Sequence, residues 1–184
     1  IMHDDANRNK IMSVQFFLIL RRVLDRKQPA ETISKSIKAG IGGTMAIAIL
    51  ILLGSLFDNT LLMAPFGATC VLLFSLPASP LAQPINVIGG HLVSITIGLV
   101  LHSFLPIDWW SLSIAVGIAI SVMAVLRVTH PPAGADPIVV FFSSPGWEYL
   151  IFPVFIGSII LVITAWTFHQ LPLKSNSLAI EPSD

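Results

Sequence analysis

The chain of 184 residues is dominated by apolar side chains: 54% of the residues are hydrophobic, 11% are charged, and the mean hydropathy is +0.84. Soluble domains carry about 25% charged residues, so this composition leaves too few polar side chains to cover a water-soluble globule. The formal net charge is zero, which gives no indication of nucleic-acid binding. The single cysteine, Cys70, excludes a disulfide framework or a cysteine metal cluster within one chain. The sequence therefore predicts an integral membrane protein.

Basic side chains are concentrated near the start, where eight of the ten Lys and Arg precede residue 39. Residues 14–24 place Phe16, Phe17, Leu20, Val23 and Leu24 on one helical face, with the charged side chains elsewhere. This pattern predicts an amphipathic helix, which either lies on the membrane surface or packs as a cytosolic helix on the transmembrane body. We expect residues 1–36 to form a cytoplasmic segment.

Four apolar segments are long enough, or nearly so, to cross a bilayer, which takes about 20 residues as a helix. They are Ile37 to Phe57, Ile85 to Phe104, Trp109 to Leu126 and Tyr149 to Phe168. Two further runs, Pro65 to Leu76 and Pro132 to Phe142, are too short to cross alone. A helix of that length covers about 17 Å, little more than half of the hydrocarbon core.

The two short runs resemble each other. The string Pro65-Phe66-Gly67-Ala68 aligns with Pro132-Ala133-Gly134-Ala135, each followed by four apolar residues and a proline. Gly89-Gly90 aligns with Gly157-Ser158 after a one-residue shift. The chain is thus predicted to contain two copies of one unit, residues 37–104 and 109–168, each with a long span, a short half-helix and a long span.

Topology decides how the two units relate. If the short helices complete crossings, there are six spans, and a cytoplasmic N-terminus places Arg127 and Lys174 inside as well. If they are re-entrant, there are four spans and Arg127 falls outside, against the positive-inside tendency. Six spans fit better, and an odd number of spans per unit makes the repeats inverted. The predicted fold is all-α: a polytopic membrane helix bundle of six helices, two of them short.

The starts of the short helices are the predicted binding site. Pro65 and either Pro131 or Pro132 open helices near the midplane, because proline suits a first helical turn. A helix N-terminus carries unpaired N–H groups and about half a positive charge, and Gly67 and Gly134 permit close approach by a ligand. Two such ends facing each other predict a site for a small anion.

The second half carries three polar side chains beside this site. Charged groups within a span are costly and usually functional, and the spacing of Arg127 and Asp136 suits either pairing or lining a permeation path. His130 is expected to donate to an anion or to bind and release a proton. The structural alternative is that Arg127 caps a span at the interface while His130 and Asp136 satisfy local backbone.

Further polar side chains are candidates for the same cavity. Asn86 and His91 are expected to line it, although His91 is equally suited to a hydrogen bond between helices, and Thr69 aligns with Asp136. A metal site at His91, His130 and Asp136 matches no established ligand spacing, so we predict no metal and no cofactor. The predicted substrate-binding residues are Pro65, Phe66, Gly67, Ala68, Thr69, Asn86, His91, Arg127, Thr129, His130, Pro131, Pro132, Ala133, Gly134 and Asp136.

At these strings the chain resembles the HPP family of integral membrane proteins, named for the triplet present here as His130-Pro131-Pro132. The strings 64–68 and 79–91 carry the resemblance further, over most of residues 38–168. The resemblance implies nitrite transport, to which cyanobacterial and plastid members are linked, and a fold usually described with four transmembrane helices. Residues 37–170 are accordingly predicted to be the HPP transmembrane domain.

Three functions are compatible with the sequence. The first is a transporter for a small monovalent anion, with nitrite indicated by the resemblance, and the second is a passive anion channel. The third is a membrane enzyme or sensor that uses His130 and Asp136 as an acid–base pair, although no nucleophile, base and orienting group is evident. We expect no enzymatic activity.

The sequence also bears on oligomeric state, membrane location and the C-terminal segment. Six short spans form a thin wall, so a homo-oligomer, most simply a dimer, is expected. The lack of an Arg- and Ser-rich leader favours a prokaryotic inner membrane, with the N-terminus cytoplasmic, over a plastid envelope. Residues 171–184 are predicted to be a flexible polar tail.

Overall fold

The computed structural model describes residues 12, 15–25 and 30–171, and these are entirely helical or irregular, without a strand. They fall into two compact units, divided between Thr32 and Ile33. The first unit contains helix α1, residues 15–24, whose apolar side chains such as Phe16 and Val23 are exposed within that unit. The predicted tail lies, apart from Leu171, outside the described residues.

Within residues 33–171 the structure has six α-helices, each overlapping one of the predicted apolar runs. They are α2 (Ile33–Leu56), α3 (Ala64–Ser75), α4 (Pro84–Phe104), α5 (Trp109–Val125), α6 (Asp136–Ser143) and α7 (Ile156–Gln170). Within the described ranges, α2, α4 and the stretch Trp147–Gln170 are long and apolar enough to cross a membrane. Large apolar side chains on their outer faces, such as Ile41, Ile85 and Ile163, are more than half exposed, as expected for helices in lipid.

Proline and local capping set where the helices begin. Pro65 is the second residue of α3 and follows the extended Met63, while Pro84 is the first residue of α4. The carboxylate of Asp108 accepts from the first backbone N–H of α5, and Ser111 completes a capping box. The helix starts predicted at Pro65 and Trp109 are therefore confirmed within a residue.

Two predicted helices begin differently. The Pro131–Ala135 segment forms a 3₁₀ turn, and regular α-helix starts only at Asp136. The last span is interrupted at Phe152, whose backbone is extended (φ −120°, ψ 116°), so that α7 starts at Ile156. Proline disfavours helical backbone at the residue before it and lacks an N–H, which explains a break just before Pro153. The span predicted from Tyr149 to Phe168 is thus long and apolar enough to cross a membrane, but its helix is broken at Phe152.

The segment from Thr129 to Ser144 lies alongside α4 and runs in the same direction. Contacts pair Asn86 with Thr129, Gly90 with His130, Ser94 with Ala133, Gly98 with Pro137, and His102 with Ser144. The α4 residues in this series span 16 positions, which is about 24 Å of helix at 1.5 Å per residue. The half-helix and the extended chain before it together therefore follow α4 over most of its length.

The segment from Leu61 to Phe74 lies along α7 in the same way. A Cβ atom built on Gly157 would lie 3.0 Å from the Leu61 carbonyl oxygen, and the rings of Phe74 and Phe168 are 5.4 Å apart in an edge contact. The short segment of each half thus packs in parallel against the last long helix of the other half.

These two packings repeat with a constant spacing of 67 positions. A Cβ built on Gly90 would lie 2.9 Å from the Val128 carbonyl oxygen, which matches the contact of Gly157 with Leu61. The ring pair of His102 and Phe141, 5.3 Å apart, likewise corresponds to that of His169 and Phe74, 5.9 Å apart. Equivalent residues of the two halves therefore exchange equivalent contacts.

Candidate functional site

Four polar side chains meet inside the apolar bundle: Thr69, His91, His130 and Asp136. All four are fully buried. The Thr69 hydroxyl lies 2.9 Å from His91 Nε2 and 3.0 Å from His130 Nε2, and His91 Nδ1 lies 2.9 Å from Asp136 Oδ2. The result is a continuous hydrogen-bonded chain, which we call the Thr69–Asp136 network.

Each member of the network comes from a different element. Thr69 lies in the second turn of α3 and His91 in the third turn of α4, while His130 is the extended residue just before the 3₁₀ turn and Asp136 is the first residue of α6. His91 contacts Thr69 on α3 and Asp136 on α6, while Thr69 also contacts His130 directly. The network therefore joins the starts of the two short helices both directly and through α4.

A backbone carbonyl sets the orientation of His130. Its Nδ1 lies 2.8 Å from the carbonyl oxygen of Leu81, in the turn between α3 and α4. A carbonyl oxygen only accepts, so Nδ1 carries a hydrogen and donates it. In the neutral ring, Nε2 is then an acceptor and faces the Thr69 hydroxyl.

His91 is held between an aromatic ring and a carboxyl group. The ring of Phe66 meets the imidazole edge-on at 5.2 Å between centroids, and the His130 ring does so at 5.0 Å. Asp136 Oδ1 is buried and has no hydrogen-bond partner among the described residues. The carboxyl group thus uses one oxygen for His91 and leaves the other available.

Glycines bring the backbones close enough for these contacts. A Cβ at Gly90 would lie 2.6 Å from His130 Cβ, and a Cβ at Gly89 would lie 3.1 Å from Val128 Cγ1. Nearby, the Ser94 hydroxyl donates to the Ala133 carbonyl at 2.6 Å and the Asn86 amide donates to the Thr129 carbonyl at 3.0 Å. The chain leading to His130 is therefore fixed against α4 on both sides of the network.

The connectivity of Asp136, His91 and Thr69 is that of an orienting acid, a base and a hydroxyl nucleophile. This connectivity was not evident in the sequence, because the three residues are 22 and 45 positions apart and only the fold brings them together. The Thr69 hydroxyl is fully buried and is shared with a second histidine. A substrate would reach it only after the bundle moved.

Several predicted site residues lie in or beside the network. Besides its four members, Phe66 contacts His91, Pro65 accepts from the Thr69 hydroxyl at 3.2 Å, and Pro132 is buried. Asn86, Thr129 and Ala133 take part through the backbone bonds described above. A Cβ at Gly134 would meet no atom within 4 Å, which leaves room beside the start of α6.

Other predicted residues lie apart from the network. Gly67, Ala68 and Pro131 are exposed, and Arg127 is exposed in the turn after α5 with a positive φ of 57°. Arg127 does not pair with Asp136, whose carboxyl group contacts His91. The predicted acid–base pair of His130 and Asp136 is also wrong, because His130 contacts Thr69 and Leu81 instead.

Sequence reasoning missed two supporting groups, the Leu81 carbonyl and the Ser94 hydroxyl. A backbone acceptor leaves no side-chain signal, whereas Ser94 lies one helical turn beyond His91 and shares its face. No group of three or more His, Cys, Asp or Glu side chains suited to a metal ion was found in the described ranges.

Comparison with known proteins gives the family. The profile of the HPP transmembrane region matches residues 28–177. Two curated transmembrane proteins of Dictyostelium discoideum are similar: one is 32% identical over 125 residues, covering 64% of this chain and 40% of the relative, and the other is 30% identical over 121 residues, covering 61% and 42%. The chain thus spans about two fifths of the length of these relatives. No solved structure matches. The chain is an integral membrane protein and belongs to the HPP transmembrane family.

Proposed function

We propose that the chain carries a small monovalent anion across the membrane, with nitrite as the substrate indicated by the family resemblance. The observation that supports this most is the buried Thr69–Asp136 network. Polar groups inside a membrane bundle are expensive and mark substrate pathways. This network lies between two proline-started helices, where hydrogen-bond donors and helix dipoles act together.

The field at the helix starts favours an anion. The Thr69 hydroxyl is bonded to the Pro65 carbonyl in the first turn of α3, and His130 immediately precedes the 3₁₀ turn that leads into α6. Each helix start contributes about half a positive charge. A planar oxyanion between them would accept from the hydroxyl and from imidazole N–H groups, as anions do at helix N-termini.

The membrane topology that we propose has six crossings in two inverted repeats. The contact series along α4 and the 67-position repeat of contacts support it, because each short segment runs parallel to the last helix of the other half. With a cytoplasmic N-terminus, Asp58, Asp108 and Glu148 lie outside and Arg127 lies inside, in keeping with the positive-inside tendency. A prokaryotic inner membrane stays our expectation.

A transporter is favoured over an open channel by the way the site is closed. The four side chains of the network contact one another and are buried, so an anion enters only when the two short helices or α4 move. Inverted repeats around a midplane site are the usual architecture for such alternating access. A channel built from the same parts would instead need a continuous wet path.

The test is uptake of ¹⁵N-labelled nitrite by proteoliposomes, compared with protein-free liposomes at mildly alkaline pH, where leakage of nitrous acid is slow. The proposal predicts saturable uptake that unlabelled nitrite inhibits. Competition by nitrate, formate and bicarbonate ranks the anions by cavity fit. Uptake no faster than in protein-free liposomes, for protein shown to be folded, would contradict anion transport.

A second candidate, a membrane acyl-transfer enzyme, is favoured by one observation, the connectivity of Thr69, His91 and Asp136. It would require Thr69 Oγ1 as the nucleophile and His91 as the base. Hydrolysis of a simple ester that is lost in Thr69→Val, together with no anion flux in the wild type, would favour the enzyme over the transporter.

A further inference from the structure

The hydrogens in the Thr69–Asp136 network can be counted from its acceptors. The Leu81 carbonyl requires a hydrogen on His130 Nδ1. The single hydroxyl hydrogen of Thr69 has two acceptors within reach, the Pro65 carbonyl at 3.2 Å and His130 Nε2 at 3.0 Å. We assign it to His130, because giving it to Pro65 would require a second hydrogen and a buried positive charge on the His130 ring. That hydroxyl has no second hydrogen to give, so the 2.9 Å contact with His91 requires a hydrogen on His91 Nε2.

The last contact requires one more proton. His91 Nδ1 and Asp136 Oδ2 lie 2.9 Å apart, and a hydrogen must lie between them, on either the nitrogen or the oxygen. In both cases the pair holds two protons and is neutral as a unit. With the Thr69 hydrogen given to His130, the network therefore carries no net charge.

Few other ionisable groups surround the network. Cys70 follows Thr69 on α3, and Tyr149 packs against the apolar core of the bundle. Helix α5 contributes no ionisable side chain. The remaining ionisable side chains of the other helices lie toward the helix ends: Lys35 and Lys38 on α2, His102 on α4 and His169 on α7. A net charge at the network would thus be buried with no counter-ion among the described side chains of these helices, which is strongly unfavourable.

An anion changes the hydrogen count. Every donor of the network is in use, so an anion that accepts from Thr69 takes the hydrogen that His130 Nε2 had accepted. His130 Nε2 is then left without a donor and faces the anion. One proton on Nε2 restores a donor, gives a cationic ring, and cancels the charge of the anion.

We propose that each anion crosses together with one proton, which binds His130 Nε2; this rests on the proposed anion transport. The empty site and the site holding both ions are neutral and can be occluded in the bundle. A site holding the anion alone or the proton alone carries a charge and is disfavoured when closed. The proton is taken from water on the entry side and returned to water on the exit side, and no covalent bond of the anion changes.

The experiment separates this inference from the proposed function. Exchange of ¹⁵N-nitrite for unlabelled nitrite at equal concentrations and equal pH tests anion transport alone. Initial uptake is then measured with the outside more acidic than the inside and, separately, under a potassium–valinomycin potential. Each rate is corrected for the rate in protein-free liposomes. An internal pH dye reports the protons that enter with nitrite.

The inference predicts that a pH gradient of one unit drives protein-dependent uptake of nitrite toward about tenfold accumulation. One proton should enter with each nitrite, and a membrane potential of either sign should leave the rate of uptake unchanged. Exchange with uptake that follows the potential and ignores the pH gradient would overturn the inference while anion transport stands. Absence of exchange would overturn both.

Variants locate the proton. His130→Gln is expected to lower uptake under the pH gradient at least tenfold, because an amide cannot take up the second proton. His102→Gln, a histidine near the end of α4 and outside the network, is expected to behave as the wild type. Equal effects of the two substitutions would remove His130 as the proton site. If His130→Gln does not fold, the comparison of gradient and potential in the wild type still decides the coupling.

Discussion

Replacing Gly90 by alanine tests whether close backbone contact holds the network in place. The new Cβ would lie 2.6 Å from His130 Cβ and 2.9 Å from the Val128 carbonyl oxygen, and neither atom is at the end of a flexible side chain. Overpacking of this kind costs roughly 1–3 kcal/mol. We expect Gly90→Ala to be destabilised and to displace His130 from Thr69.

Gly117→Ala is the matched control, because Gly117 also lies in a helix and a Cβ there would meet nothing within 4 Å. Both substitutions gain about 1 kcal/mol of helix propensity, so the difference between them isolates the packing cost. Denaturant unfolding in detergent micelles should separate the two variants by about 1–3 kcal/mol. Equal unfolding free energies and equal nitrite uptake for the two variants would refute the packing argument.

Three further predictions concern the repeat, the carboxyl group and the assembly. Gly157→Ala should be destabilised much as Gly90→Ala is, because its Cβ would lie 2.5 Å from Phe66 Cε2; stability like that of Gly117→Ala would argue against equivalent packing in the two halves. Asp136→Asn should keep most of the stability, since its amide can donate to His91 Nδ1. Asp136→Leu leaves that nitrogen unpaired, at a cost of about 1–3 kcal/mol. A higher unfolding temperature for Asp136→Leu than for Asp136→Asn would contradict the neutral pair of His91 and Asp136. Light scattering in detergent should give the mass of a dimer, and a monomer at all protein concentrations would exclude the expected homo-oligomer.

Apolar run length and proline position were sufficient to predict most helix bounds. The predicted Ile85 to Phe104 became Pro84–Phe104, and Pro65 opens α3 within a residue of its start. These features depend on local chemistry, namely bilayer thickness and the missing N–H of proline. The break in the helix at Phe152 also has a local cause, the following Pro153. The long apolar run around this proline predicted a membrane span and gave no separate indication of a break.

The members of the site were predictable from their residue types, whereas their pairing was not. Thr69, His91, His130 and Asp136 were candidates because polar groups are rare in such a chain. His130 and Asp136 are close in sequence and suggested a pair, yet the structure joins Asp136 to His91, 45 positions away. Pairings over such distances depend on how α4 and the two short segments pack together, which no local pattern encodes.

The most direct test of the account compares nitrite uptake by the wild type, His130→Ala and His102→Ala in proteoliposomes of equal protein content. The account predicts that His130→Ala loses the uptake measured above protein-free liposomes, because the imidazole that contacts Thr69 and takes up the proton is removed, while His102→Ala retains it. Undiminished uptake by His130→Ala, with the protein folded, would contradict a binding site at the Thr69–Asp136 network.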